Sequence, residues 1–317
     1  MEGAAVDKLR NIRRAVSGKA LFAVAVWGAS FVATRIALEG FNPFGLVGVR
    51  LITGVALLVI IIKARGGPIW PMPDDVPVCV FLGVILGAHL LIQAYGLCYT
   101  SAINTGWIIA FIPVTIAIGA QLMGKQRLAR IGWLGVVVAT GGVLLVTMHS
   151  PPDFKHARFG DLLQLTSCLT WTVYTLAATG AVARSGALRV TTFAMVVAAV
   201  VVTLPTLKAG VLTGALTGRV VLATAFLGLV CSGVAYFLWL QGQHEHGPTR
   251  VGSLLYFEPF FTLAAAALLI SEPVTLNTLF GGVTVLFGVW LVARGVSLRL
   301  TKPSRTRVSE AADRGTD

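Results

Sequence analysis

Ten apolar runs dominate this chain, each near the length of about 20 residues that a helix needs to cross a bilayer. They cover residues 18–38, 44–63, 76–97, 101–123, 130–148, 160–181, 188–206, 218–240, 247–270 and 274–293. The breaks between them are short and carry turn chemistry, as at Asn42-Pro43, Gly66-Gly67-Pro68, Pro151-Pro152-Asp153, Gly247-Pro248 and Glu272-Pro273. Only 12% of the 317 residues are charged and 56% are hydrophobic, where soluble domains carry about 25% charged residues. Seven of the charges lie in residues 1–19 and nine in residues 294–317, so the body between them cannot present a water-soluble surface. Soluble, secreted and disordered classes are excluded. The expected fold is an all-α polytopic membrane protein with ten transmembrane helices.

An even number of spans puts both termini on one side. Assigning that side to the cytoplasm places nineteen Lys and Arg residues inside and five outside, the asymmetry expected of a correctly oriented inner-membrane protein. A multi-pass protein of the cell inner (plasma) membrane with two cytoplasmic termini follows as the expectation. The net charge of +12 belongs largely to the tails, with Lys8, Arg10, Arg13, Arg14 and Lys19 before the first run and Arg294 to Arg314 after the last. Such tails suit an anionic leaflet, and no nucleic-acid partner is expected. No A-x-A-like cleavage site follows the first run, so it is read as a retained helix. Cys79, Cys98, Cys168 and Cys231 lie in or beside apolar segments without a CxxC pair, as buried small hydrophobes do. His244-Glu245-His246 lacks the i, i+4 histidine spacing of a zinc helix and reads as a solvated cytoplasmic loop. No metal or cofactor is expected.

The chain divides into a basic tail (1–17), five spans (18–148), an outer loop (149–159), five further spans (160–293) and a second basic tail (294–317), polar from about residue 301 and expected to be disordered. The two sets of five look alike. A shift of 146 positions brings Gly106 onto Gly252, Phe111 onto Phe257, Pro113 onto Pro259, Gly135 onto Gly281 and Gly142 onto Gly288. A shift of 144 brings Trp27 onto Trp171. With an odd number of spans per copy, the second copy must lie inverted relative to the first. Inverted repeats are the mark of secondary transporters that bind substrate near the midplane.

Trp27-Gly28-Ala29-Ser30-Phe31 with Arg50, Tyr99-Thr100-Ser101-Ala102 leading to Phe111-Ile112-Pro113, and Gly135 through Gly142 and Val143 resemble the EamA family of the drug/metabolite transporter superfamily. The second half repeats the order with Gly160-Asp161-Leu162-Leu163, Trp171, Tyr256-Phe257-Glu258-Pro259, Ser271-Glu272-Pro273 and the Gly281/Gly288 pair. The resemblance covers about residues 20–147 and 160–293. It implies ten helices, both termini inside, and export or exchange of small metabolites. One departure stands out: Gly124-Lys125-Gln126-Arg127 occupies the place where the family usually shows a Gly-Glu pair, which the second copy keeps at Glu272.

Pro113 and Pro259 sit mid-span at matching positions, where each removes a backbone donor and kinks its helix. Matched kinks in both halves point to a transporter cavity. Glu258 is an acidic residue well inside a span, which makes it the leading proton-coupling candidate. His89 and Gln93 share a face of the third span, and His89 is a second candidate for proton relay or substrate contact. Asn104, Trp107 and Phe111 on the fourth span, with Trp27, Phe31, Trp171, Tyr174, Tyr236 and Tyr256, complete the expected substrate cavity. Their rings suit an amphipathic or aromatic solute, although each ring taken singly is equally at home in a core or an interfacial belt. Arg35, Glu39 and Arg50 cluster near the first outer turn, where Arg50 has three roles open to it: pairing with Glu39, snorkelling, or holding an anionic substrate group. Asp161 reads as helix-start chemistry. The glycine faces of the fifth and tenth spans, and the Gly83/Gly87 pair, suit close helix approach. They are expected to serve as scaffold or as a homodimer contact.

No GxxxxGK[ST] phosphate loop supports an ATP-driven pump, and no GxSxG or HExxH supports an enzyme. Near-continuous spans leave no re-entrant filter for a channel. The expected function is a secondary active exporter of a small amphipathic or aromatic metabolite or drug, working by alternating access with proton antiport. The alternatives are a metabolite exchanger without proton coupling and a lipid or lipid-linked-sugar flippase.

Overall fold

The structure, a computed structural model, describes residues 2–124, 126–148, 154–206, 210–247 and 251–298, with side chains from residue 18 onward except at 154–157, 253 and 297–298. These residues form ten helical rods. The first three are α1 (Glu2–Ala37), α2 (Pro43–Ala64) and α3 (Val76–Tyr99). The fourth is broken into α4 (Ala102–Ile109) and α5 (Ile112–Leu122), and α6 (Arg130–Val146), α7 (Phe154–Ser185) and α8 (Ala187–Thr203) follow. The eighth rod comprises α9 (Gly218–Ala225), a π-helical stretch (Phe226–Ala235) and α10 (Tyr236–His246). A 3₁₀ turn (Ser253–Phe257) leads into α11 (Glu258–Leu269), and α12 (Leu276–Gly295) ends the bundle. Among the described residues, six helices are long and apolar enough to span a membrane: Gly18–Ala37, Pro43–Ala64, Pro73–Tyr99, Ala102–Leu122, Gly218–His246 and Leu276–Gly295. Three shorter apolar helices, Arg130–Val146, Ala187–Thr203 and Leu254–Leu269, accompany them. This is a mostly helical, polytopic membrane protein.

Local chemistry starts the helices where the turns end. The Asn42 side chain accepts from Gly45 N at 2.8 Å with Pro43 following, Ser101 accepts from Asn104 N at 3.0 Å, and Thr275 accepts from Thr278 N at 3.1 Å. Pro113 and Pro259 each stand in the first turn of a new helix, α5 and α11, immediately after a backbone break at Ala110–Phe111 and a 3₁₀ turn. The missing proline N–H accounts for the position of both breaks.

Side-chain bonds tie the rods at two ends. At one end Thr100 Oγ1 donates to Asp161 Oδ1 (2.5 Å), Arg35 Nη1 to the Thr100 carbonyl (2.9 Å), and Arg219 Nη2 to the Leu269 carbonyl (3.1 Å). At the other, Arg184 Nε and Ser185 Oγ donate to the buried Asp75 carboxylate (2.8 and 2.6 Å), and Lys19 Nζ lies 3.5 Å from Glu245 Oε1. Asp75 and Thr100 bracket α3, about 38 Å apart at 1.5 Å per residue, so the α3 and α7 pair is pinned at both ends.

Packing runs mainly between the two halves, and its pairs come in exchanged twos. α1 lies on α11 as α7 lies on α4 and α5; α1 lies on the eighth rod as α7 lies on α3; α2 lies on the π stretch as α8 lies on α3. α6 packs along α12 through glycine: a Cβ on Gly135 would stand 2.5 Å from the Gly288 carbonyl oxygen, and one on Gly142 would stand 2.7 Å from that of Gly281.

The mostly helical fold stands as expected, with one short addition, an antiparallel two-stranded ribbon of Gln126–Leu128 and Val296–Leu298. Several other expectations need correction. The glycine faces of the fifth and tenth spans meet each other within the chain, so they do not supply a face for a second copy. His244-Glu245-His246 is the last turn of α10 rather than a loop, and no metal-binding cluster occurs among the described residues. Asp161 lies inside α7, buried, because that helix begins seven residues earlier. The basic stretch at 2–17 is the start of α1. Residues 149–153 of the outer loop and 299–317 of the C-terminal tail lie outside the described residues.

The Gln126 departure has a structural counterpart. Glu272, reached after Ser271 turns the chain at φ 50°, accepts from Ala102 N (3.2 Å) and Ile103 N (3.0 Å) at the α4 N-terminus. In the other half Gln126 donates instead to the Ala117 carbonyl at 2.9 Å and sits in the ribbon. Glu272→Ala is expected to destabilise the folded protein by about 1 kcal/mol, the cost of a lost cap. A thermal-unfolding midpoint in detergent equal to that of the parent would contradict this role.

Candidate functional site

A small central cavity lies where α1, α2, α3, the broken rod of α4 and α5, α7, the eighth rod and the 253–258 turn converge. Its walls are Trp27, Ser30, Phe31, Arg50, His89, Leu90, Gln93, Ile109, Ile112, Trp171, Tyr236, Leu255 and Glu258. Every one of these comes from a rod that packs across the two halves. The free volume is about 30 Å³, enough for a single water and far below the roughly 300–1,000 Å³ of occupied ligand pockets. A wider space of about 1020 Å³ opens at the Thr100–Asp161 end, lined among others by Arg35, Glu39, Asn104, Arg219 and Glu272.

Aromatic rings build one side of the central cavity. Trp27 and Trp171 meet edge to face at 5.2 Å with planes at 84°, and both contact Tyr236, at 5.2 and 5.6 Å. Trp27 Nε1 donates to the Cys231 carbonyl at 3.1 Å, a carbonyl within the π-helical stretch, where the wider turn disturbs the usual i→i−4 pairing. The two indoles, which the 144-position shift relates, touch in the wall of this cavity.

The polar side chains in the wall are few and deeply buried. His89 Nδ1 lies 3.1 Å from the Ser167 carbonyl oxygen and 3.0 Å from Thr170 Oγ1. A carbonyl only accepts, so Nδ1 carries the proton and Nε2 is left as an acceptor. The His89 ring also packs on Trp171 at 5.2 Å. Glu258 opens α11 with 3% of its surface exposed, and its Oε2 has no partner among the described residues. Arg50, 4% exposed, donates Nε to Ser232 Oγ at 3.0 Å and forms no ion pair among the described residues.

Of the residues singled out from sequence, Trp27, Phe31, His89, Gln93, Trp171, Tyr236 and Glu258 line this cavity. The others stand elsewhere. Trp107 is buried over Gly282, so close that a Cβ there would fall 2.3 Å from the indole. Phe111 packs in the smaller core between α5, α6 and α12. Tyr256 donates to the Val289 carbonyl on α12 at 3.3 Å. Tyr174 stacks behind Trp171 at 5.6 Å. Asn104 lines the outer space and accepts from Thr278 Oγ1 at 3.1 Å. Arg50 was not among the expected cavity residues; it turns inward, away from Glu39, because the face of α2 carrying Leu46, Val47, Gly54 and Leu58 is the buried one.

Comparison with known proteins agrees with this architecture. The model of the EamA-like transporter family matches residues 18–148 and again 158–294. An uncharacterized transporter, YyaM, of Bacillus subtilis (strain 168) is 30% identical over 87% of this chain and 92% of its own. A protein of Escherichia coli (strain K12) described as a probable amino-acid metabolite efflux pump is 27% identical over 88% of this chain and 95% of its own. A solved crystal structure superposes with a TM-score of 0.66 over 89% of this chain and 97% of that one, at 18% identity, a likeness of fold alone. The relatives are named as transporters, which are not enzymes.

Proposed function

The chain belongs to the EamA-like transporter family, and from that premise we propose that it is an inner-membrane secondary transporter exporting a small amphipathic or aromatic metabolite by proton antiport. The central cavity carries this reading: aromatic walls, an unpartnered buried carboxylate, and contributions from both halves. Two five-helix repeats in inverted orientation, ten spans in all, with both termini in the cytoplasm, complete the proposal. The two separate matches to the family model, the exchanged packing pairs and the meeting of Trp27 with Trp171 support a twofold relation. The name of the Escherichia coli relative, a probable amino-acid metabolite efflux pump, favours a solute of amino-acid size.

The proposed cycle is one of alternating access. The cavity is closed on the cytoplasmic side by the Asp75, Arg184 and Ser185 ties, and a wide mouth lies toward the Thr100 end. Widening at the breaks before Pro113 and Pro259 admits a solute between the indoles. Glu258 takes a proton from outside and surrenders it inside as solute leaves in the other direction.

The test is flux of a pooled metabolite panel in liposomes containing the purified protein, with and without an imposed pH gradient. Gradient-driven flux of one or a few solutes is the expected result. Equal flux with and without the gradient would replace antiport by exchange, and lipid scrambling without solute flux would overturn the metabolite reading in favour of a flippase.

A further inference from the structure

We propose that Arg50 is the residue that selects substrate, by binding a carboxylate carried on the solute, so that the transported class is small organic acids or amino acids with an apolar or aromatic body. The proposal deepens the reading of the central cavity as the substrate site and rests on it.

A guanidinium stays charged at any physiological pH. Buried without an anion it carries a large desolvation cost, which a single hydroxyl does not offset. Arg50 is in that position: 4% exposed, in the cavity wall, with only the Ser232 hydroxyl as a hydrogen-bond partner among the described residues. Ser232 engages Nε at 3.0 Å, which fixes the guanidinium plane while neither terminal nitrogen has an acceptor among the described residues. That leaves the paired N–H groups a carboxylate accepts in fork geometry.

The nearby carboxylate does not fill the role. Glu258 lines the same cavity, yet its Oε2 has no partner and it forms no ion pair with Arg50. No carboxylate among the described residues pairs with Arg50, and a solute carboxylate is the anion the proposal assigns to it. Ser232 lies in the π-helical stretch, and Gly54, one turn after Arg50, packs against it with only 3.0 Å of room for a Cβ. Close α2 contact with a widened helix thus presets the guanidinium. The rings of Trp27, Trp171 and Tyr236 stand in the same wall, where they receive the solute's body.

The test uses quenching of intrinsic tryptophan fluorescence in full-length protein in nanodiscs. The probes are 3-phenylpropionate, phenylalanine, phenylalaninamide and phenethylamine, each with chloride present and with chloride replaced by methanesulfonate, which carries no carboxylate. The two carboxylates are expected to bind, and the amide and the amine to bind about 10- to 100-fold more weakly. In Arg50→Gln the carboxylates should fall to the level of the amide, while Arg50→Lys, which keeps charge but loses the fork, should fall between. Ser232→Ala should weaken carboxylate binding several-fold and leave the amide unchanged, a split that a merely misfolded variant would not give. Equal binding of acid and amide, or carboxylate binding unchanged in Arg50→Gln, overturns the proposal. So does binding that follows chloride whatever the probe, because the anion at Arg50 would then be inorganic. If carboxylates bind with Arg50 dependence but Trp27→Phe and Trp171→Phe leave both affinity and quenching intact, the indoles do not receive the solute's body and the aromatic part of the proposal is overturned. If no probe quenches the parent protein, the cavity reading fails and takes the proposal with it.

Discussion

Glu258→Gln is expected to abolish gradient-driven accumulation while leaving solute exchange across the membrane intact. Glutamine keeps the shape of the protonated acid but cannot release a proton, so the variant stays in the state that moves solute without coupling. In the parent protein, antiport of one proton per solute should sustain about a tenfold concentration ratio for each unit of pH difference. The variant should bring that ratio to unity. Burial makes the residue suited to this work: it is 3% exposed at the start of α11, faces the cavity, and has an oxygen with no partner among the described residues. A carboxylate so placed is costly unless proton, solute or water reaches it. The measurement is uptake into liposomes in two modes, one driven by a pH step and one by counterflow of unlabelled solute. Loss of both modes would mean that Glu258 holds the structure or the solute and does not couple it. Retention of both would remove it from the mechanism and leave His89 as the remaining candidate.

Much of the architecture was readable from the chain because hydrocarbon imposes a length on every span and proline imposes a break. The capped starts at Asn42 and Ser101 and the broken rods before Pro113 and Pro259 follow from residue types alone. Which face of a span turns inward did not follow. In water an apolar stripe marks the core, but lipid is as apolar as the interior, so periodicity loses its meaning. Trp107, Phe111 and Tyr256 have the composition of cavity residues and the positions of packing residues, fixed by Gly282, the small core at α6 and the Val289 carbonyl. Arg50 carried the one legible sign. It shares a helical stripe with Leu46, Val47, Gly54 and Leu58, and an arginine in line with a packing glycine is aimed at protein rather than lipid. The π-helical stretch at Phe226–Ala235 had no such sign, because its glycines and serine serve as well in an α-helix.

Gly288→Leu is expected to leave little or no folded protein, the largest structural effect in the molecule. The seam between α6 and α12 is made of backbone against backbone. A Cβ at 288 would stand 2.3 Å from Ala139 N and 2.7 Å from the Gly135 carbonyl oxygen, and one at 281 would stand 2.7 Å from Val146 N. Overpacking costs about 1–3 kcal/mol where neighbouring side chains can shift. Here the obstacles belong to two regular helices, so the helices must part along their length and lose the close approach that holds them. Gly142→Leu should behave alike, since its Cβ would stand 2.5 Å from Val285 N on the facing helix. Gly141→Leu is the control: the same helix and the same substitution, but with no atom within 4 Å of the new Cβ. Fluorescence-detected size exclusion of detergent extracts distinguishes them, with aggregated or absent protein expected for 288 and 142 and a parental peak for 141. A parental peak and midpoint for Gly288→Leu would show that the seam yields. The outer faces of α6 and α12, with Trp133, Val137, Phe280, Phe287 and Trp290 exposed, would then be the surfaces that hold this pair in place, and lipid or a second copy would have to supply the packing that the glycines do not.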